Sequence, residues 1–329
     1  MSRRARLAAG LLLTLIALAA SGQTRQNLTL TGASPGGLWS LLGAGIHAAV
    51  AAEYPGSAVT YQTSGGGLAN VMLVSDGRAD LGFVHNVELR VALAGRAPFR
   101  KPYTNLRAIA YLYDWAPIQW VVSRRFAERY GIETADDLIA AKAPVRFGVN
   151  TRGNMVQELN RAILEAYGVS YADIESWGGQ VVYAASGEMA ELMANRRIDM
   201  TGNGLFAPDS SIVQTAQSLD VTMLSLNDAV VATVVETMGA ESYTISAGTY
   251  DWLDHDVATV SLGAGIVASD VLPEQTAYDL TKALVENLER IRRVHTAMQA
   301  LTPEHMASQL IIPYHPGALR YYREAGLVD

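Results

Sequence analysis

Alternating apolar and polar positions mark the chain from residue 28 onward. Residues 28–31 (LTLT) read as a strand, and the glycine-rich turn behind them opens a stretch of helical period to about Glu53. A second strand is expected at 58–63, a second helix behind Gly65-Gly66-Gly67, and a third strand at 81–85. Two further apolar runs, 106–113 and 118–123, read as separate strands. Trp115-Ala116-Pro117 stands between them, and proline removes a ladder donor. A second series follows: strand 145–149, helix 153–167, helix 186–196, and strands 198–202 and 221–226. The chain then returns with a β-like run at 257–268 and a long helix that begins near Pro273 and ends near His295. Shorter helices start after Thr302-Pro303 and Pro316, where proline suits a first helical turn. Strands alternating with helices predict α/β layers with largely parallel sheets.

The pattern echoes itself. Residues 67–82 (GLANVMLVSDGRADLG) and 186–201 (SGEMAELMANRRIDMT) both read as a helix, a polar turn and a strand led by Asp. At an offset of 119, Leu73, Arg78 and Asp80 fall on Leu192, Arg197 and Asp199. The echo predicts two similar α/β lobes facing each other across a cleft. The chain would cross to the second lobe near Pro117 and return near Asp256. Lobe 1 is then 23–116 with 256–329, and lobe 2 is 117–255.

Length and composition agree with two domains. The chain has 329 residues, half of them hydrophobic and 17% charged, which excludes a disordered chain. It has no cysteine, so a disulfide framework, a Cys-ligated zinc site and a thiol nucleophile are excluded. Formal net charge is −7, which argues against a nucleic-acid footprint. The N-terminus carries Arg3, Arg4 and Arg6, then an uncharged stretch at 7–20 too short to span a bilayer, then small residues. That reads as a cleaved signal peptide over 1–22 and places the mature protein in the periplasm. Its removal takes away three arginines and no acid, moving the net charge from −7 to −10.

Candidate chemistry gathers at three turns between a strand and a helix: Ser34-Pro35-Gly36-Gly37, Ser64-Gly65-Gly66-Gly67 and Thr151-Arg152-Gly153-Asn154. Ser34, Ser64 and Thr151 are expected as N-caps, and the glycines admit a ligand close to the backbone. Helix N-termini meeting at a cleft suit a carboxylate or phosphate. Arg152 is the sharpest single candidate, because a guanidinium opposes the dipole at a helix start unless an anion sits between them. Trp39, His85, Asn86, Tyr113, Asn203, Gly204 and Phe206 complete the set, as contacts or walls at the strand ends and the crossover. Trp115 and Trp120 flank the same crossover.

Other motifs fail on context. Residues 43–48 and 263–268 match GxGxxA, but the first lies inside a helical stretch and no helix opens at the second. The acidic run 251–256 lacks calcium-loop spacing and reads as a solvated loop. No histidine pair has zinc spacing, no metal or organic cofactor is implied, and no nucleophile, base and oxyanion hole assemble.

These motifs resemble the extracytoplasmic solute receptors of the TAXI family, the binding components of TAXI-type TRAP transporters. The marks are Ser-Pro-Gly-Gly at 34–37, Ser-Gly-Gly-Gly at 64–67, GRADLGFV at 77–84, PIQWVVSR at 117–124, AGTY at 247–250 and HPGALRYYREAGL at 315–327. The resemblance implies a type II periplasmic-binding-protein fold, with two α/β lobes joined by a hinge and a ligand cleft between them. It implies a monomeric, non-enzymatic receptor that closes on a small organic acid, such as a dicarboxylate or acidic amino acid, and delivers it to a TRAP membrane permease. The family's ligand region maps onto the 34–37, 64–67 and 150–154 turns, the end of the third strand and the segment near Phe206. The chain departs from the family at Leu38, at His85 and at 152–156, where only Gly153 of the usual turn survives. A histidine and an arginine added there point to an anion. An enzyme on the same scaffold and a ligand-binding partner of a membrane sensor are the alternative readings.

Overall fold

In the computed structural model, residues 25–308 and 310–329 are described. Residues 1–22, expected from the sequence to be a signal peptide, lie outside them. Three parallel strands begin the first lobe: β1 (Asn27–Thr31), β2 (Ala58–Gln62) and β3 (Leu81–His85). Three more begin the second: β5 (Arg146–Val149), β6 (Gln180–Tyr183) and β7 (Met200–Gly204). The long strands β4 (Leu106–Ser123) and β10 (Val257–Ser269) join the two sets. The ladder order is β2-β1-β3-β10-β4-β7-β5-β6, with β8 (Val221–Met223) on β4 and β9 (Glu241–Ile245) on β10.

Two expectations change here. The sheets are mixed, because β10 runs antiparallel to β3, β4 and β9, and β4 runs antiparallel to β7 and β8. Residues 106–123 form one strand of 18 residues and not two. Pro117 is tolerated because it stands where β4 leaves one sheet for the other. Pro117 is opposite Ser261 of β10, and from Ile118 onward the partner is β7.

Helices cover both faces. In the first lobe α1 (Leu38–Glu53), α2 (Gly67–Ser75) and α3 (Asn86–Leu93) follow the first three strands. In the second, α4 (Arg124–Tyr130), α5 (Ala135–Ala141), α6 (Met155–Ala166), α7 (Tyr171–Ser176), α8 (Ser186–Ala194), α9 (Ser210–Ser218) and α10 (Asp228–Met238) pack around the shorter strands. The C-terminal part returns to the first core with α11 (Glu274–Glu286), α12 (Leu288–Arg292), a 3-10 turn at Thr296–Ala300, α13 (Pro303–Met306) and α14 (Pro316–Glu324). The single long helix expected from Pro273 is thus two, broken at Asn287, with Pro273 as N-cap. No helix among the described residues is long and apolar enough to cross a membrane.

One core gathers Leu30, Leu42, Ile46, Phe83 and Ile266 under α1 and α11, and another gathers Trp120, Phe147, Leu159 and Ile163 under α6. The GxGxxA matches are packing devices. A Cβ on Gly43 would meet the Tyr61 ring at 2.6 Å, and one on Gly45 would meet Val294 at 2.7 Å. In β10, a Cβ on Gly263 would fall 1.7 Å from the Tyr111 hydroxyl.

Candidate functional site

Between the lobes lies a cavity of 50 Å³. Ser34, Trp39, His85 and Tyr113 line it from one side, and Asn150, Asn154, Ser186, Asn203 and Gly204 from the other. Three helices point their N-terminal turns at it: α1 through Leu38 and Trp39, α6 through Asn154 and Val156, and α8 through Ser186. Their first turns bring the positive ends of three helix dipoles, and α1 and α8 have no side-chain cap.

Aromatic rings fix the first wall. Trp39 lies 5.4 Å from the Phe83 ring and 4.8 Å from the His85 ring. Its Nε1 donates to the Tyr113 hydroxyl at 2.8 Å. Burial pushes the Tyr113 phenol up, with the Trp39 bond opposing that shift, so the hydroxyl keeps its proton. That proton has no acceptor among the described residues. His85 is held from behind by the buried Glu88, whose Oε2 accepts from the His85 backbone N–H at 2.8 Å and lies 3.2 Å from Nδ1. Glu88 fills the space a side chain at Gly67 would need, since a Cβ there would come within 1.6 Å of Oε2.

Polar side chains fix the second wall. Asn154 caps α6 by accepting from the Val156 N–H at 2.9 Å. Asn150 accepts from the Thr151 N–H at 2.8 Å and donates to Ser186 Oγ at 3.3 Å. Asn203 is buried, and its Oδ1 has no partner in the protein. An unpartnered buried acceptor costs roughly 1–3 kcal/mol, so this atom calls for a donor. Two buried asparagines brace the strand ends beneath the cavity. Asn70 donates to the carbonyls of Gly32 and Phe83 at 2.8 Å, and Asn160 donates to that of Gly202 at 2.9 Å.

Of the residues singled out in the sequence, Ser34, Trp39, His85, Tyr113, Asn154, Asn203 and Gly204 line the cavity. Phe206 backs it, edge-on to Tyr113 at 5.0 Å. Others stand apart. Arg152 is exposed, and its guanidinium lies 3.6 Å over the Tyr183 ring, outside the cavity lining. Solvent and this cation–π stack account for its position at the helix start. Asn86 accepts from the Ile311 N–H at 3.3 Å. Ser64 is spent on Gly32 and Asn70, at 2.6 Å each. Gly36, Gly37, Gly65, Gly66, Thr151 and Gly153 shape the neighbouring turns without lining the cavity. The expected caps are also corrected: Gly37, Gly66 and Asn154 stand at the N-cap positions in place of Ser34, Ser64 and Thr151, because each helix starts later than its turn. Trp120 is in the second core, with Nε1 on Asn160 at 2.6 Å. Trp115 packs against His305 at 4.9 Å.

Ser186 was missed, and Asn150 was read only as the first position of the 150–154 turn. The signal for Ser186 is the strand Gln180–Tyr183 before it, only four residues long, with Ser186 opening the next helix. Among the described residues no cluster of His, Asp or Glu could hold a metal ion.

The two α/β lobes around this cavity form the architecture of periplasmic binding proteins. The same fold is seen in MatC from Rhodopseudomonas palustris with bound malate, at 14% identity and a TM-score of 0.58, covering 92% of this chain and 99% of that one. A protein of Bordetella bronchiseptica RB50 is similar at 15% identity and a TM-score of 0.50, covering 91% and 82%. Residues 30–326 match the NMT1-like family, and the chain belongs to it.

Proposed function

We propose that this chain is the periplasmic solute receptor of a TAXI-type TRAP transporter. It captures a small organic acid between its lobes and hands it to an ion-gradient-driven membrane permease. The lobes that close are 23–116 with 256–329, and 117–255, and residues 1–22 direct export. The observation that carries the reading is the meeting of three helix N-termini on one cavity that also holds the unpaired Tyr113 proton and Asn203 Oδ1. Helix ends and a phenol hydroxyl favour a carboxylate. An unpaired amide oxygen favours a ligand hydroxyl or ammonium.

Among the described residues no lysine or arginine lines the cavity, which favours a hydroxy or amino acid with one carboxylate over a dicarboxylate held by Arg152. At roughly 10–15 Å³ for each water-sized group, the 50 Å³ space takes about three to five such groups.

The test is a thermal-shift screen of the unfolded and refolded mature chain against hydroxy acids, amino acids, dicarboxylates and sugars. A ligand at 100 times its dissociation constant stabilises by about 2.7 kcal/mol. The shift is expected with small monocarboxylic hydroxy or amino acids. A shift confined to sugars would sink the acid reading.

A further inference from the structure

A second concavity, 680 Å³ in volume, lies at the opposite end of the second lobe's strands. β5 runs from Arg146 in this groove to Asn150 at the cavity, and β7 leads from Asp199 in the groove to Asn203 at the cavity. Five guanidinium groups line the groove: Arg124, Arg125, Arg129, Arg146 and Arg196. Arg146 is committed to Asp199, through Nε at 2.8 Å and Nη2 at 2.6 Å. Arg124 reaches the Val221 carbonyl at 3.4 Å, and Arg129 lies over Tyr130. Arg125 and Arg196 are exposed and make no side-chain hydrogen bond or ion pair with the described residues. The acids at the groove are Asp199, already paired, with Glu128 and Asp220. On a chain of net charge −7 this is a concentrated basic site.

Arg196 has φ of 56°, a left-handed backbone that favours glycine. The matching turn of the first lobe does have glycine there, Gly77 at φ 67°. The second lobe therefore keeps an arginine at a backbone cost, at the mouth of a groove that already holds four.

We propose that this groove docks an acidic segment of a partner protein. The guanidinium forks match carboxylates and are the side chains most enriched at protein contact centres. The floor is apolar, formed by Phe126, Met193 and Ile198, all buried. A free inorganic oxyanion gains nothing from such a floor, whereas a peptide with acidic and aliphatic side chains uses both. The groove is remote from the solute cavity, so docking and solute binding are separable.

The test is fluorescence anisotropy of a labelled 12-residue peptide of alternating glutamate and leucine, titrated with the full chain. Its lysine-for-glutamate counterpart and pyrophosphate serve as comparisons. The variant is Arg125→Gln with Arg196→Gly, the glycine chosen because φ of 56° suits it and the fold is kept. The acidic peptide is expected to bind, to weaken with salt, and to lose at least about tenfold in affinity in the double variant. Equal binding to the variant, equal binding of the lysine peptide, or arginine-dependent binding of pyrophosphate without the acidic peptide would each overturn the proposal. The thermal response to a cleft ligand should be the same in variant and parent, which keeps this result apart from the solute reading.

Discussion

Asp80 and Asp199 each clamp a neighbouring parallel strand, β1 at its middle residue Thr29 and β5 at its first residue Arg146, one in each lobe. Asp80 Oδ2 accepts from the Thr29 N–H at 2.7 Å and from its hydroxyl at 2.8 Å. Asp199 Oδ2 accepts from the Arg146 N–H at 3.1 Å and from Nε at 2.8 Å. Each Asp follows a helix and a left-handed turn, at Gly77 and Arg196. The echo in the sequence is thus a repeated structural unit, differing in what the clamped residue offers.

Glycine at one left-handed turn and arginine at the other should make the turns respond in opposite directions. Gly77→Ala puts a side chain at φ 67°, with nothing within 4 Å to clash, and should cost about 1–2 kcal/mol from backbone strain alone. Arg196→Gly relieves the same strain, partly offset by about 0.4–1 kcal/mol of unfolded-state entropy, and should leave stability unchanged or raised by up to about 1.6 kcal/mol. Urea denaturation of both variants checks the pair. A large loss in Arg196→Gly would refute it.

Tyr113→Phe should harm both stability and binding. It leaves the buried Trp39 Nε1 without its acceptor, at a cost of about 1–3 kcal/mol, and removes the unpaired phenol proton from the cavity. Asn203→Leu should behave differently, keeping the fold while losing the solute, because its Oδ1 has no protein partner to abandon. Calorimetric titration beside denaturation separates the two. Unchanged affinity in both would remove these groups from the site.

His295 should act as a latch across the lobes. Its Nδ1 accepts from the Ala297 N–H at 3.1 Å, so Nε2 carries the proton and donates to the Pro208 carbonyl at 3.0 Å, while the ring meets Phe206 at 5.1 Å. Removing one such bond costs about 1 kcal/mol. If it forms only in the closed form, His295→Ala should weaken apparent solute affinity by roughly fivefold and enlarge the solute-free radius of gyration by small-angle scattering. An affinity equal to that of the parent would end the latch.

Stability should fall in mild acid. Burial holds the His305 and His315 imidazoles below the ordinary histidine range. Below about pH 6.5 the unfolded chain then binds more protons than the folded one, so stability is complete above that pH and declines as pH drops toward the folded values. His315 also caps α14, with Nδ1 accepting from the Gly317 N–H at 3.3 Å, an acceptor lost on protonation. Urea midpoints from pH 8 to pH 5 should slope downward. The double variant His305→Phe with His315→Asn should flatten that slope, and an identical slope would contradict the assignment.

Much of this was legible in the sequence where a strand, a glycine turn and a helix follow in order, as at 28–53 and 58–75. The short strands Gln180–Tyr183 and Glu241–Ile245 were not, because four or five half-buried residues leave little periodicity to read. Pro117 misled, since proline punctuates a chain but does not end a strand that changes sheets there. At the site, the side chains that follow strand ends could be read from order alone. Arg152 could not, because the aromatic ring it stacks on, Tyr183, comes from a separate strand.

The 18-residue β4 and the 13-residue β10 lie side by side along most of their shared length, with register shifts between Leu262 and Ala264 beside the place where β4 changes sheets. Sliding one strand along the other would break every rung at once, whereas twisting or flexing the pair at that irregular point breaks few. The two strands therefore behave as a torsion bar. They would let the halves of the molecule twist or flex against each other there, and a ligand bridging the halves would brake both movements.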